Sequence, residues 1–259
     1  MADRLIRFLF RLRDRLLTSR LAIRLQGRFP RTWKFIMDRF SILHFEGLPL
    51  SAIAVTFFMN VLLLFKLTEK LMNSPGLTRI DSLVARFFYS VRTELLAKSI
   101  FLFTQIGNEI TIACLTIVLT IIFIYYKLYN YLVPLLFTVL GSAATIVLGK
   151  NIYKVNRPDE FAYYAEGSFS FPSGHSTIAV AFYGYLTYLY IRREQSTKMR
   201  SYAFLAGTFL ILGIGFSRLY LCVHYLSDVA GGYLLGLSWL ILAITYVEWN
   251  ARRKKLISN

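Results

Sequence analysis

The sequence predicts an all-α, polytopic membrane protein of six transmembrane helices preceded by an amphipathic, basic N-terminal helix. Three observations carry that class. Hydrophobic residues make up 56% of the 259-residue chain and mean hydropathy is +0.52, against 17% charged residues, a membrane balance rather than that of one or two soluble domains. The apolar residues gather into six runs of about the length that crosses a bilayer core. The 22 Phe and 17 Tyr suit lipid-facing helices flanked by interfacial aromatics.

In chain order, residues 1–47 form a basic cytoplasmic segment. On a helical wheel Leu5, Leu9, Leu12 and Leu16 gather on one side while Arg4, Arg7, Arg11 and Arg15 gather on another. That is an interfacial helix able to grip anionic lipid, and equally a topology signal that keeps the N-terminus inside. The six spans follow over residues 48–247: Leu48 to Leu67, Ile110 to Tyr126, Tyr131 to Gly149, His175 to Ile191, Ser201 to Phe216 and Val229 to Val247. Leu95 to Gly107 either extends the second span or lies in the interface. The first span begins too far into the chain, and without a small-residue cleavage site, to read as a cleavable signal. Residues 248–259 form a basic cytoplasmic tail.

Lysine and arginine set the expected orientation, because cytoplasmic loops retain positive charge. Residues 1–47 carry eleven, and Lys127, the 192–200 loop and the tail raise that side to twenty of the chain's thirty. Both termini are therefore expected inside. The formal charge of +16 and pI near 10.0 do not imply nucleic acid, because the bulk of the chain is apolar rather than a soluble basic face. Anionic headgroups and a phosphorylated substrate account for the charge. Cys114 and Cys222 lack metal-ligand spacing and read as packing residues. His44 matches no motif and reads as an interfacial packing residue.

The chemistry lies in three short stretches on the expected outer face: Lys150 to Pro158 (KNIYKVNRP), Pro172 to His175 (PSGH) and Ser217 to Asp228 (SRLYLCVHYLSD). A phosphate monoester or diphosphate needs fixed cations and hydrogen-bond donors, and Lys150, Arg157 and Arg218 supply the cations. Arginine offers a planar fork for two phosphate oxygens and lysine a compact charge. Pro158 stiffens the chain after Arg157, and Lys154, outside the pattern, reads as a solvated residue. Pro172 to His175 opens a span, where Ser173 and Gly174 place free backbone N–H groups and a hydroxyl at a helix N-terminus suited to an anion. The same Ser173 is also an ordinary helix cap. His224 and Asp228 are four residues apart, so on one helical turn the carboxylate can accept the Nδ1 proton and aim Nε2 outward.

Written as K-x6-R-P, P-S-G-H and S-R-x5-H-x3-D, the three stretches stand in the order of the signature of the type 2 phosphatidic acid phosphatase (PAP2) superfamily, which the chain resembles from about residue 100 to 247. The resemblance implies a PAP2-type helical core whose six-helix architecture reaches back to residue 48. It also implies that His224 is the nucleophile, His175 the general acid and Asp228 the partner of His224, with Lys150, Arg157, Ser173, Gly174 and Arg218 binding phosphate. A phosphohistidine then forms and is hydrolysed without metal or cofactor.

The superfamily's soluble vanadium haloperoxidases lack the spans seen here, so the lipid phosphatase branch is the expected one. Its substrate classes include undecaprenyl diphosphate, phosphatidylglycerophosphate, phosphatidic acid and phosphorylated lipid A. Outer-face chemistry at a bacterial plasma membrane favours undecaprenyl diphosphate. Two alternatives use the same fold: a phosphotransferase that passes the group to an acceptor hydroxyl, and a catalytically silent lipid transporter or scaffold.

Overall fold

The structure, a computed structural model, describes residues 28–30 and 48–257. The chain divides at Val55 into two units, and the contacts and clefts described below lie in the second, Thr56 to Asn259. The amphipathic segment expected over Leu5 to Leu16 lies outside the described residues. Those residues form nine α-helices, one 3₁₀ turn and one π turn, and no strand occurs among them.

Among the described residues, five helices are long and apolar enough to cross a membrane. α1 (Leu48–Asn73) overruns the expected first span by a turn and a half. After the short helix α2 (Pro75–Val91), α3 (Glu94–Thr104) joins α4 (Glu109–Tyr125) through the 3₁₀ turn Gln105–Gly107. The stretch from Leu95 to Gly107 therefore extends the second span. The other long helices are α5 (Tyr129–Tyr153), α8 (Thr197–Tyr220) and α9 (Leu226–Ile257). Their outward side chains, Phe58, Ile117, Leu140 and Phe209 among them, are exposed apolar groups of the kind that face lipid tails.

The stretch His175 to Ile191 differs from expectation. It is helical from Gly174 to Arg193 but consists of α6 (Gly174–Ile178), a π turn (Ala179–Tyr183) and α7 (Gly184–Arg193). Ser176 and Thr177 lower its hydropathy, and the π turn interrupts the α-helical ladder. This helix is the centre of the bundle. Ala179, Ala181, Phe182 and Tyr185 are fully buried, and its segments touch α5, α8 and α9.

Close approach around that centre needs small residues. A Cβ at Gly232 of α9 would stand 2.7 Å from the Ser173 carbonyl oxygen, and one at Gly236 would stand 2.8 Å from Val180 Cβ. Both glycines let α9 lie directly on α6, which brings the start of α9 against the PSGH turn. Asn60 ties α1 to α9, donating to Ser238 Oγ and to the Leu234 carbonyl at 2.8 Å each. A buried amide satisfied on both protons resists slippage between helices that share an apolar surface.

Candidate active site

Three chain segments meet at one end of the bundle. The first is the last turn of α5, which carries Lys150 and ends where Lys154 takes a left-handed conformation (φ 47°). The second is the 154–173 loop, which returns to the PSGH turn and is pinned at its base by Ser170 N–H donating to the Val155 carbonyl at 2.8 Å. The third is the 221–225 connection between α8 and α9. Cys222 adopts φ 52° there, and Val223 N–H closes back on the Arg218 carbonyl at 3.2 Å.

Arg157 is buried and held on every side. Its Nε donates to the Ser168 carbonyl at 2.6 Å, and Nη1 donates to the Val223 carbonyl at 2.7 Å and lies 3.1 Å from His224 Nε2. Its Nη2 pairs with Glu166 Oε2 at 2.6 Å. Arg218, fully buried, pairs with the other Glu166 oxygen and donates from Nη1 to Tyr164 Oη at 2.5 Å. One carboxylate thus bridges both arginines. Lys150 Nζ donates to Ser168 Oγ at 2.8 Å.

His224 is 2% exposed. Burial, followed by the positive charges of Arg218, Arg157 and Lys150, holds its imidazole well below the ordinary histidine range, so the ring is neutral. The hydrogen bonds assign its tautomer. A guanidinium only donates, so Nε2, facing Arg157, carries the lone pair and Nδ1 carries the proton. Nδ1 faces Ser170 Oγ at 3.1 Å, and Ser170 in turn donates to Asp228 Oδ2.

The His224 and Asp228 geometry departs from the simple reading of their spacing. His224 precedes α9 rather than sharing its first turn with Asp228, because Asp228 Oδ2 accepts Tyr225 N–H at 2.7 Å as the helix begins. The direct separation of Nδ1 and Oδ2 is 3.5 Å, with the Ser170 hydroxyl reaching both.

Of the sequence-derived residues, Lys150, Gly174, His175 and His224 line one cleft of about 510 Å³, and Lys150 and Arg157 line an adjoining one of about 670 Å³. Glu109, Glu166 and Ser168 border both. Arg218 lies behind Glu166 and Tyr164. The Ser173 hydroxyl is fully buried and turned into its own helix, accepting from Ser176 N–H at 3.5 Å and Ser176 Oγ at 3.1 Å, so it caps α6. Its backbone N–H donates to the Asp228 carbonyl at 3.1 Å, which locks the PSGH turn to α9.

Sequence reasoning missed Tyr164, Glu166, Ser168 and Ser170 in the loop, and Asp81 of α2. Asp81 is buried and accepts from Ser227 N–H at 3.0 Å and Ser227 Oγ at 2.6 Å, capping α9 one residue before Asp228. Among the described residues no group of three or more His, Cys, Asp or Glu gathers to hold a metal ion.

A membrane-spanning helical bundle that collects a lysine, two arginines and a buried neutral histidine at one end defines the class: a membrane phosphatase. Residues 131–252 match the PAP2 superfamily. The chain is 29% identical over 193 residues to phosphatidylglycerophosphatase B of Bacillus subtilis (strain 168), covering 73% of this chain and 94% of that protein. Its fold matches the crystal structure of a transmembrane PAP2-type phosphatidylglycerolphosphate phosphatase from Bacillus subtilis with a TM-score of 0.69 and 25% identity, over 74% of this chain and 96% of that one. Aquifex aeolicus LpxE shares the fold at a TM-score of 0.51 and 22% identity, over 64% and 94% of the two chains.

Proposed function

We propose that the protein hydrolyses the terminal phosphate of a membrane lipid through a phosphohistidine at His224. The observation that carries this reading is the buried His224, its Nε2 3.1 Å from Arg157 in a cleft that His175 and Lys150 also line. The phosphate displaces Glu166 and takes the guanidinium forks of Arg157 and Arg218 and the charge of Lys150, which frees Nε2 for in-line attack. The Gly174 N–H at the start of α6 adds a donor for its oxygens, while Ser173 serves by shaping the turn. His175 protonates the departing lipid oxygen and then takes a proton from the water that hydrolyses the phosphohistidine.

Phosphatidylglycerophosphate is the substrate this reading places first. Two relatives are named for that lipid. The larger cleft is bordered by Asn151, Asn156 and Asp159, and suits the hydroxyls of a glycerol headgroup beside the phosphate. Undecaprenyl diphosphate, favoured by outer-face chemistry alone, has no such polyol.

The reading includes six crossings, with the segmented helix Gly174 to Arg193 as the buried fourth. Both termini lie in the cytoplasm of a bacterium, the cleft faces outward, and residues 1–47 rest on anionic lipid. The deciding experiment incubates the full chain in detergent and EDTA with phosphatidylglycerophosphate, undecaprenyl diphosphate and phosphatidic acid, beside His224→Ala. Phosphate release by the wild type alone, fastest from phosphatidylglycerophosphate, is the expected result. No release from any lipid, or an active His224→Ala, overturns the proposal; release only when an acceptor alcohol is added identifies a phosphotransferase.

A further inference from the structure

We propose that Ser170 is a positioning residue whose hydroxyl relays the Asp228 carboxylate to the His224 imidazole, so that the catalytic unit is His224, Ser170 and Asp228 rather than a histidine and carboxylate in direct contact. The inference rests on the role proposed for His224. Ser170 is fully buried and lies outside all three sequence motifs, two residues before Pro172.

Its geometry leaves one consistent set of donors. The Ser170 hydroxyl has a single proton, and that proton goes to Asp228 Oδ2. Toward His224 Nδ1, at 3.1 Å, Ser170 Oγ can therefore only accept, so the ring proton sits on Nδ1. Arg157 demands the same tautomer independently, because its Nη1 donates to Nε2 from the opposite side of the ring. The direct Nδ1 to Oδ2 distance of 3.5 Å lies beyond the ordinary range of an N–H···O bond. Asp228 is already engaged by Tyr225 N–H at 2.7 Å, and the Ser170 backbone is fixed by the Val155 carbonyl at 2.8 Å.

The relay acts on charge. As Nε2 bonds to phosphorus, the bond from phosphorus to the lipid oxygen breaks and His175 protonates that oxygen. His224 becomes an N-phosphoryl imidazolium with its proton still on Nδ1. That proton is held by Ser170 Oγ, whose own O–H stays on Asp228, so the positive ring is matched to the carboxylate through one neutral hydroxyl and no proton reaches Asp228. When water attacks phosphorus, its proton goes to His175, the N–P bond breaks and the ring is neutral again. The orienting carboxylate of a serine protease does comparable work by direct contact.

A double-mutant cycle on the full-length protein tests the relay, with phosphatidylglycerophosphate as substrate. Ser170→Ala and Asp228→Ala are each expected to lower kcat about 30-fold or more while KM stays within about threefold. If the carboxylate acts through the hydroxyl, Ser170→Ala in the Asp228→Ala background costs little further, within about threefold. Multiplying effects, or a Ser170→Ala kcat within about twofold of wild type, overturn the proposal.

An activity-independent arm uses ¹⁵N-histidine spectra, simple in a chain of three histidines. Wild-type His224 should show the Nδ1–H tautomer, which Arg157 also holds, and Ser170→Ala should shift the Nδ1 resonance as its hydrogen-bond acceptor is lost; an unchanged Nδ1 resonance overturns the proposal. If Ser170→Ala does not fold, Ser170→Cys, with a weak thiol donor of similar size, carries both measurements. A wild type that releases no phosphate overturns the lipid phosphatase reading, and the spectra still decide the role of Ser170.

Discussion

Glu166 holds Arg157 at 2.6 Å through one carboxylate oxygen and Arg218 through the other. The two guanidiniums are almost wholly buried, and in the absence of substrate this single carboxylate is their shared anion. A phosphate must displace it. Glu166→Gln removes the competing charge and is expected to strengthen inhibition by inorganic phosphate about tenfold, equal to about 1.4 kcal/mol. It also leaves two buried cations without their shared anion, so its thermal midpoint should fall and phosphate should restore it more than in the wild type. Weaker phosphate inhibition in Glu166→Gln would show instead that Glu166 orients the two guanidiniums for phosphate rather than competing with it.

The neutral, buried His224 gives stability a pH dependence. Its folded pKa is depressed below the ordinary 6.5 by burial, so between the two values the unfolded chain binds a proton that the folded chain does not. Stability is then full above about pH 6.5 and falls as pH drops below it, by up to about 1.4 kcal/mol per pH unit for one group. Thermal unfolding in detergent from pH 7 to pH 5 should show a shallower decline for His224→Gln than for the wild type. Equal slopes would place the acid sensitivity elsewhere.

The sequence made the cleft legible through residue types that carry charge or a proton at fixed spacing. Lys150, Arg157, His175 and His224 reach one place because each sits at the end of an apolar run, and runs of crossing length bring their ends together. What remained hidden depends on contacts across long separations. Glu166 meets Arg218 over 52 residues and Asp81 meets Ser227 over 146, and no local spacing announces either pair. Ser170 is one serine in a serine-rich loop until the fold sets it between His224 and Asp228. Helix α2 was unread because Arg79, Asp81 and Arg86 interrupt its apolar residues, so it matches no span. The π turn at Ala179–Tyr183 follows from packing around the central helix and has no sequence period of its own.

Gly232 should tolerate no side chain. A Cβ there would stand 2.7 Å from the Ser173 carbonyl oxygen and 2.9 Å from Ser176 Cβ, and a backbone oxygen cannot swing aside. Gly232→Ala must therefore push the PSGH turn away from the helix that carries Asp228. The expected loss is about 1–3 kcal/mol of stability with phosphate release reduced about tenfold. Gly76→Ala, whose Cβ would meet nothing closer than Ser74 Oγ at 3.6 Å, is the control that should behave as wild type. A fully active Gly232→Ala would show that the α6 and α9 contact does not hold the cleft in register.

Orientation in the membrane decides which lipid pool the cleft meets. Consecutive long helices run in opposite directions, so Lys127 and the 192–200 loop share one end of the bundle, and the 154–173 loop and the 221–225 connection share the other. The first end anchors cations at an interface: Arg192 pairs with Glu248 at 2.8 Å, and Arg193 lies over the Tyr131 ring. The sequence count, twenty of thirty basic residues on the expected cytoplasmic side, predicts that this end lies inside and the cleft outside. Glu160 and Gln195 are exposed residues at opposite ends and report this directly. In a Cys114→Ala background, which leaves only the buried Cys222, a membrane-impermeant maleimide applied to intact cells should label Glu160→Cys at once. Gln195→Cys should react only after permeabilisation. The reverse pattern would place the arginines and His224 in the cytoplasm and exclude an outer-leaflet substrate, because the charged headgroup would then have to cross the bilayer to reach them.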